Sequence, residues 1–266
     1  MVNLPTNLPV LLREILGQAD VLHAQETRLG AGIFNLRTQA GTETFLKMAL
    51  KESEEDLAAE VKRLKWLKGR LPVADVLFWG SDATRDYVLL SQLEGRPSHD
   101  PLWQSDLPRL MRSMAKGLRQ IHQLPLVNCP FTGILDQELQ EAERRIVENR
   151  LDLSGFLKAS EQRSPQEVLG QLHQRKHCAT DLVFTHGDFC MPNILVKNWE
   201  INGYVDWAIA GISDRHRDLM CVLDSVEHNC GAEPLPFFFE EYGLAEVDMA
   251  KIAFFRDLDL FYSDFG

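Results

Sequence analysis

The hydrophobic pattern of the chain changes at Glu94-Gly95-Arg96-Pro97, and that change restricts it to mixed α+β folds. Between about Thr27 and Leu93 a Gly-containing turn and an alternating stretch ending in Phe45-Leu46-Lys47 precede an expected helix near Ser53 to Lys68. Strands are expected near Val76 and Tyr87. After the break, Leu107, Leu110, Met114, Leu118 and Ile121 recur at helical spacing, which returns between Glu138 and Val147. The expectation is a small β-rich N-terminal lobe over residues 1–95 and a larger, mainly helical lobe over 96–266. With 266 residues, 45% of them apolar, the chain can bury a substantial core.

Within the helical lobe, short apolar runs at Leu182-Val183-Phe184 and Ile194-Leu195-Val196 bracket His186-Gly187-Asp188-Phe189-Cys190-Met191-Pro192-Asn193. Gly203-Tyr204-Val205 then leads into Asp206. Asp188 and Asn193 have the separation of the Asp and Asn in the protein-kinase catalytic loop, and Asp206 follows at a strand end. Phosphoryl transfer needs a cation on the nucleotide phosphates, hard oxygen ligands for magnesium and a carboxylate beside the attacking hydroxyl. Asp188 fits the last role, while the Asn193 amide oxygen and the Asp206 carboxylate suit Mg2+.

Lys47 ends a strand-like segment, and Glu60 lies about two turns into the following helix, so a pair between them would hold the ammonium against phosphates. Gly30 and Gly32 would let backbone N–H groups approach those phosphates, or would form a plain hairpin. Phe45 shares the strand face of Lys47, where it would stack on adenine or pack in the core.

The formal charge of -11 argues against a nucleic-acid binder and suits a cationic ligand or a solvated surface. Lys62 to Arg70 reads as the solvated face of an amphipathic helix. Five cysteines form no Cys-x-x-Cys pair and give no sign of a disulfide framework or zinc site, which fits a cytoplasmic protein. The N-terminal apolar stretch is broken by Arg13, Glu14 and Asp20, so a surface helix is expected there rather than a signal peptide or membrane span.

The chain resembles the aminoglycoside phosphotransferases, especially the kanamycin-type 3'-enzymes and in places the streptomycin 3''-enzymes. The likeness runs through Phe45-Leu46-Lys47-Met48, Trp66 to Val73, Asn128-Cys129-Pro130-Phe131, the His-Gly-Asp loop and Ser213 to Asp218. Leu258-Asp259 followed by Phe261-Tyr262 is similar to the family's Leu-Asp-Glu-Phe-Phe ending. The resemblance implies a bilobal protein-kinase-like fold, ATP or GTP with Mg2+, nucleotide held near Ser91 to Leu93, and phosphorylation of an aminoglycoside hydroxyl as a route to resistance. It implies a bracing role for Asp218, and Asp259, Glu161 and Tyr262 become substrate candidates.

Departures fall where that family holds the drug. Ile209 stands where an Arg is expected, Leu260 replaces a Glu, and Gly155 to Ser160 replace an acidic cluster. A kinase of another hydroxylated small molecule and an inactive nucleotide-binding pseudokinase are the alternative readings. No nucleic acid or membrane partner is expected, and the chain should act as a monomer or weak dimer.

Overall fold

The computed structural model describes residue 4 and residues 8–26, 32–53, 55–244 and 246–263. In chain order the first elements are α1 (Val10–Leu16), β1 (Asp20–Glu26), β2 (Gly32–Arg37), β3 (Glu43–Leu50), α2 (Leu57–Leu67), β4 (Val76–Ser81) and β5 (Arg85–Ser91). After the short β6 (Arg96–Pro97) come α3 (Leu107–His122), α4 (Ile134–Val147), α5 (Leu153–Ala159) and α6 (Pro165–Arg175). Next are β7 (Leu182–Thr185), β8 (Ile194–Lys197), β9 (Glu200–Tyr204) and β10 (Gly211–Asp214). Three helices follow: α7 (His216–Cys230), α8 (Leu235–Tyr242) and α9 (Met249–Asp259). The chain is α+β, with its large sheet N-terminal and most of its helices C-terminal.

The chain divides into two compact units, Met1–Arg96 with Leu195–Ala208 and Pro97–Ile194 with Ile209–Gly266. A single cut after residue 95 therefore misses one excursion. Its cause is local bonding: Tyr204 donates its N–H to the Pro72 carbonyl, and Asn202 Nδ2 donates to the Glu94 carbonyl. At Gly95, φ is +124°, and an added Cβ would lie 2.9 Å from the Val196 carbonyl oxygen, so only glycine allows this approach.

The first unit is built on an antiparallel sheet ordered β1-β2-β3-β5-β4. Strand alternation sends Phe34, Leu36, Leu46, Met48, Tyr87 and Leu89 to one face, where Leu8, Leu12 and Leu16 cover them. Each fully buried leucine contributes about 1.5–3 kcal/mol. The expected N-terminal surface helix is present, with Leu12 and Leu16 buried and Val10, Leu11 and Ile15 exposed. Helix α2 starts later than the expected Ser53 because Asp56 is its cap, accepting the Ala59 N–H at 2.8 Å. Lys62, Lys65 and Lys68 form the solvated face, whereas Arg63 is buried.

In the second unit α3 carries a buried stripe of Leu110, Met111, Met114, Ala115, Leu118 and Ile121. It starts at Asp106, which caps Arg109 N, and packs on α8. Leu219, Val222, Phe238, Ile252, Phe255 and Leu258 extend this core. Among the described residues no helix is long and apolar enough to cross a membrane.

Candidate active site

The first unit gathers Lys47, Glu60 and Asp206. The alternation that buries Leu46 and Met48 puts Phe45 and Lys47 on the opposite face of β3, and Lys47 is in register with Ile33 and Val88. Lys47 Nζ donates to Glu60 Oε1 at 2.8 Å and Oε2 at 3.0 Å, and also to Asp206 Oδ1. Glu60 is only 3% exposed, whereas the Asp206 side chain is half-exposed. Burial works to lower the Lys47 pKa, but the Glu60 and Asp206 carboxylates outweigh it and raise it, so the ammonium form is held. Glu55, missed in the sequence, belongs to the same field: burial raises its pKa, with Lys47 opposing and Asp206 and Glu60 adding to the rise.

Asp206 follows β9 with φ at +62°, a left-handed conformation uncommon for a residue with a Cβ. Such backbone costs about 1–3 kcal/mol and persists only where its surroundings fix it. Here Trp207 is fully buried, donates Nε1–H to the Tyr204 carbonyl at 3.1 Å and meets the Tyr204 ring edge-on. The turn therefore holds the Asp206 carboxylate toward Lys47.

The second unit carries the Asp188 loop between β7 and β8. Fully buried Phe189 and Met191 anchor it, and Met191 N–H donates to Ser225 Oγ at 2.9 Å. Beside those anchors Asp188 is half-buried, and Asn193 Nδ2 donates to its Oδ2 at 2.7 Å and its backbone carbonyl at 3.1 Å. The amide nitrogen is thereby engaged, leaving the Asn193 oxygen as the side chain's acceptor for a cation. Gly187 has φ at +87°, and an added Cβ would lie 2.9 Å from Ile209 Cγ1 and 3.0 Å from its carbonyl oxygen. The side chain standing where the resemblance places an Arg thus packs over the loop glycine.

Asp218 braces this loop, as the resemblance implied. Its Oδ2 accepts the His186 N–H at 2.8 Å and its Oδ1 the Gly187 N–H at 2.7 Å. His122 Nε2 lies 2.9 Å from the same Oδ2, and His122 Nδ1 lies 2.6 Å from the Tyr242 hydroxyl. Arg215 Nη1 donates to that hydroxyl at 3.2 Å, so Tyr242 ties the His122–Asp218 pair to Arg215. Burial pushes the Asp218 pKa up, but these bonds and the nearby His122 and His186 rings outweigh it, and the carboxyl lies below its ordinary range. The sequence held a signal for His122: it continues the buried α3 stripe four residues after Leu118.

The remaining sequence candidates fall into distinct environments. Ser91 ends β5, with its N–H on the Asp75 carbonyl and its Oγ accepting the Asp75 N–H, each at 2.9 Å. Leu93 packs on Gly203, and its peptide groups have no protein hydrogen-bond partner among the described residues. Gly30 lies outside the described residues. Gly32 opens β2 at the edge of the expected turn, in register with Glu26 and Met48, where a Cβ would sit 2.9 Å from the Phe34 ring. Glu161 is exposed with φ at +56°. The Tyr262 hydroxyl donates to the Glu138 carbonyl, while Asp259 pairs with buried Arg217 at 3.1 Å. Neither Arg217 nor Glu138 had been singled out in the sequence.

By fold the chain is a protein-kinase-like α+β phosphotransferase. Residues 26–255 match the model of the phosphotransferase enzyme family, and the chain belongs to that family. It is 31% identical over 257 residues to an aminoglycoside 3'-phosphotransferase of Niallia circulans, covering 96% of this chain and 98% of the relative. It is 30% identical over 245 residues to a streptomycin 3''-kinase of Streptomyces griseus, covering 86% and 88% of the two chains. Among solved structures, an aminoglycoside 3'-phosphotransferase of type VIII superposes with a TM-score of 0.84 at 29% identity, covering 94% of this chain and 96% of the other.

Proposed function

We propose that this protein is an ATP-dependent O-phosphotransferase that moves the γ-phosphate to a hydroxyl of an aminoglycoside and so confers resistance to it. The observation that carries the reading is the Asp188 carboxylate, fixed by Asn193 on a loop braced by Asp218. The near full-length likeness to an aminoglycoside 3'-phosphotransferase supports the substrate class.

Each residue then takes a role its surroundings suit. Lys47, kept charged and oriented by Glu60, binds nucleotide phosphates. Phe45 offers an aromatic face to adenine, and the peptide groups of Leu93 suit the base edge of ATP or of GTP as a second donor. Asp206 and Asn193 are each hard oxygen donors of the kind magnesium prefers. Magnesium, when bound, neutralises developing charge on the phosphates. Asp188 orients the substrate hydroxyl and accepts its proton as the oxygen attacks phosphorus. Asp259, Glu161 and Tyr262 remain the substrate-side candidates, and the reaction is placed in the cytoplasm, carried out by a monomer or weak dimer.

Purified protein with ATP, Mg2+ and a panel of kanamycin-type drugs and streptomycin should release ADP only when a drug is present. Drug-independent release, or none across the panel, rules out the substrate assignment. A kinase of a different hydroxylated small molecule is the second reading, favoured by Ile209 over Gly187 where the resemblance places an arginine.

A further inference from the structure

Arg217 is a charged side chain buried at the meeting of three helices of the second unit. It is 3% exposed; its Nη1 donates to Asp259 Oδ1 of α9 at 3.1 Å, and its Nη2 lies 3.3 Å from Glu138 Oε1 of α4. Arg217 Nε and Glu138 Oε2 are buried without a hydrogen-bond partner. The Ser263 hydroxyl shares its one proton between Asp259 Oδ2 at 3.1 Å and the Asp259 backbone carbonyl at 3.0 Å, so Arg217 is the charged partner of this carboxylate. Glu138 and Asp259 hold Arg217 in its charged form against the opposing effect of burial.

This group adjoins the reacting loop. Asp218, the next residue of α7, binds the His186 and Gly187 amides, and the buried Cys221 thiol feels the charges of Arg217, Asp188, Asp218 and Asp259 together. Asp259 keeps 41% of its side chain exposed, so it is the member of the group that a ligand can reach. An unpaired carboxylate there would attract a substrate ammonium. With Arg217 in place, an ammonium set against the free side of the carboxylate meets the guanidinium at about twice the carboxylate distance, and roughly half of the attraction is cancelled.

We propose that Arg217 is a specificity-determining residue: by pairing with Asp259 it withdraws that carboxylate from substrate amines, so the position beside Asp259 takes a hydroxyl rather than an ammonium. The proposal rests on the aminoglycoside reading above. A neutral hydroxyl donor loses little from the nearby guanidinium, whereas an amine loses about half of its electrostatic attraction.

The test uses two drug pairs, each differing by one amine against one hydroxyl: neomycin with paromomycin, and kanamycin B with kanamycin A. The ratio of kcat/KM for the amine member to the hydroxyl member is measured in the parent protein and in Arg217→Gln. In at least one pair the substitution should raise that ratio about tenfold. A ratio unchanged in both pairs overturns the proposal. Asp259→Asn, at a partly exposed position, provides a second variant should Arg217→Gln not fold: it should affect both members of a pair alike, and a selective loss of about tenfold for the amine member overturns the proposal. Failure of the aminoglycoside reading is seen separately, as no turnover of any drug by the parent. In that event, calorimetric binding of the same pairs decides, and equal preference in parent and variant, or no binding to either, overturns the inference as well.

Discussion

Asp218 Oδ1 accepts the backbone N–H of Gly187 at 2.7 Å, one residue before the carboxylate proposed as the base. The aspartate on α7 thus fixes the backbone from which Asp188 projects. Replacing Asp218 by Asn removes charge from bonds worth about 1.5–3 kcal/mol each. It should lower kcat with little change in the KM for ATP, as measured by steady-state kinetics.

The same residue has a pH consequence. Its folded-state pKa is depressed, so its contribution to stability is present at and above the unfolded carboxylate value and is lost as pH falls through the folded value. Urea unfolding of parent and Asp218→Asn should show a stability difference that is steady from neutral pH down to about 4 and shrinks only in stronger acid. A difference that vanishes between pH 8 and 6 would contradict this account.

Asp188→Asn keeps the size of the side chain and removes the basic oxygen. Turnover should fall by about 10²–10⁴, while nucleotide affinity measured by calorimetry stays within about twofold of the parent. Unchanged turnover would remove Asp188 from the chemistry.

Glu60→Gln leaves the Lys47 ammonium with one anionic partner in a largely buried setting. Disrupting a buried pair typically costs about 3–5 kcal/mol. The midpoint of denaturant unfolding should drop, and the KM for ATP should rise in the folded fraction while the KM for the drug does not.

Asp206→Ala should uncouple magnesium from nucleotide. In the parent, Mg2+ should tighten ATP binding; in the variant the two titrations should coincide. An equal gain from Mg2+ in both proteins would reject Asp206 as a ligand.

The fold was largely legible where periodicity is strong. Leu107 to Ile121 foretold α3, and the alternation ending at Lys47 foretold both β3 and the face that Lys47 shares with Phe45. Spacing, order along the chain and complementary chemistry singled out Asp188, Asn193, Asp206, Lys47 and Glu60, and two of the resulting pairs, Lys47 with Glu60 and Asp188 with Asn193, are direct hydrogen bonds. Contacts that depend on packing distant helices were illegible. Arg217 looked like one charge among several in Ser213 to Asp218, because nothing local reports that α4 and α9 deliver Glu138 and Asp259 to it. For Gly32 the sequence left a phosphate loop and a plain hairpin open, and the antiparallel pairing of β1 with β2 across Glu26 and Gly32 fits the hairpin.

The excursion of residues 195–208 into the first unit also governs the order of events on the ribosome. Lys47 must wait for Asp206, 159 residues further along the chain. At about 5–20 residues per second, that is roughly 8–32 s of synthesis. Through that interval the nascent N-terminal sheet carries its lysine with Glu60 alone, and a fragment released before residue 206 lacks the carboxylate proposed to take magnesium.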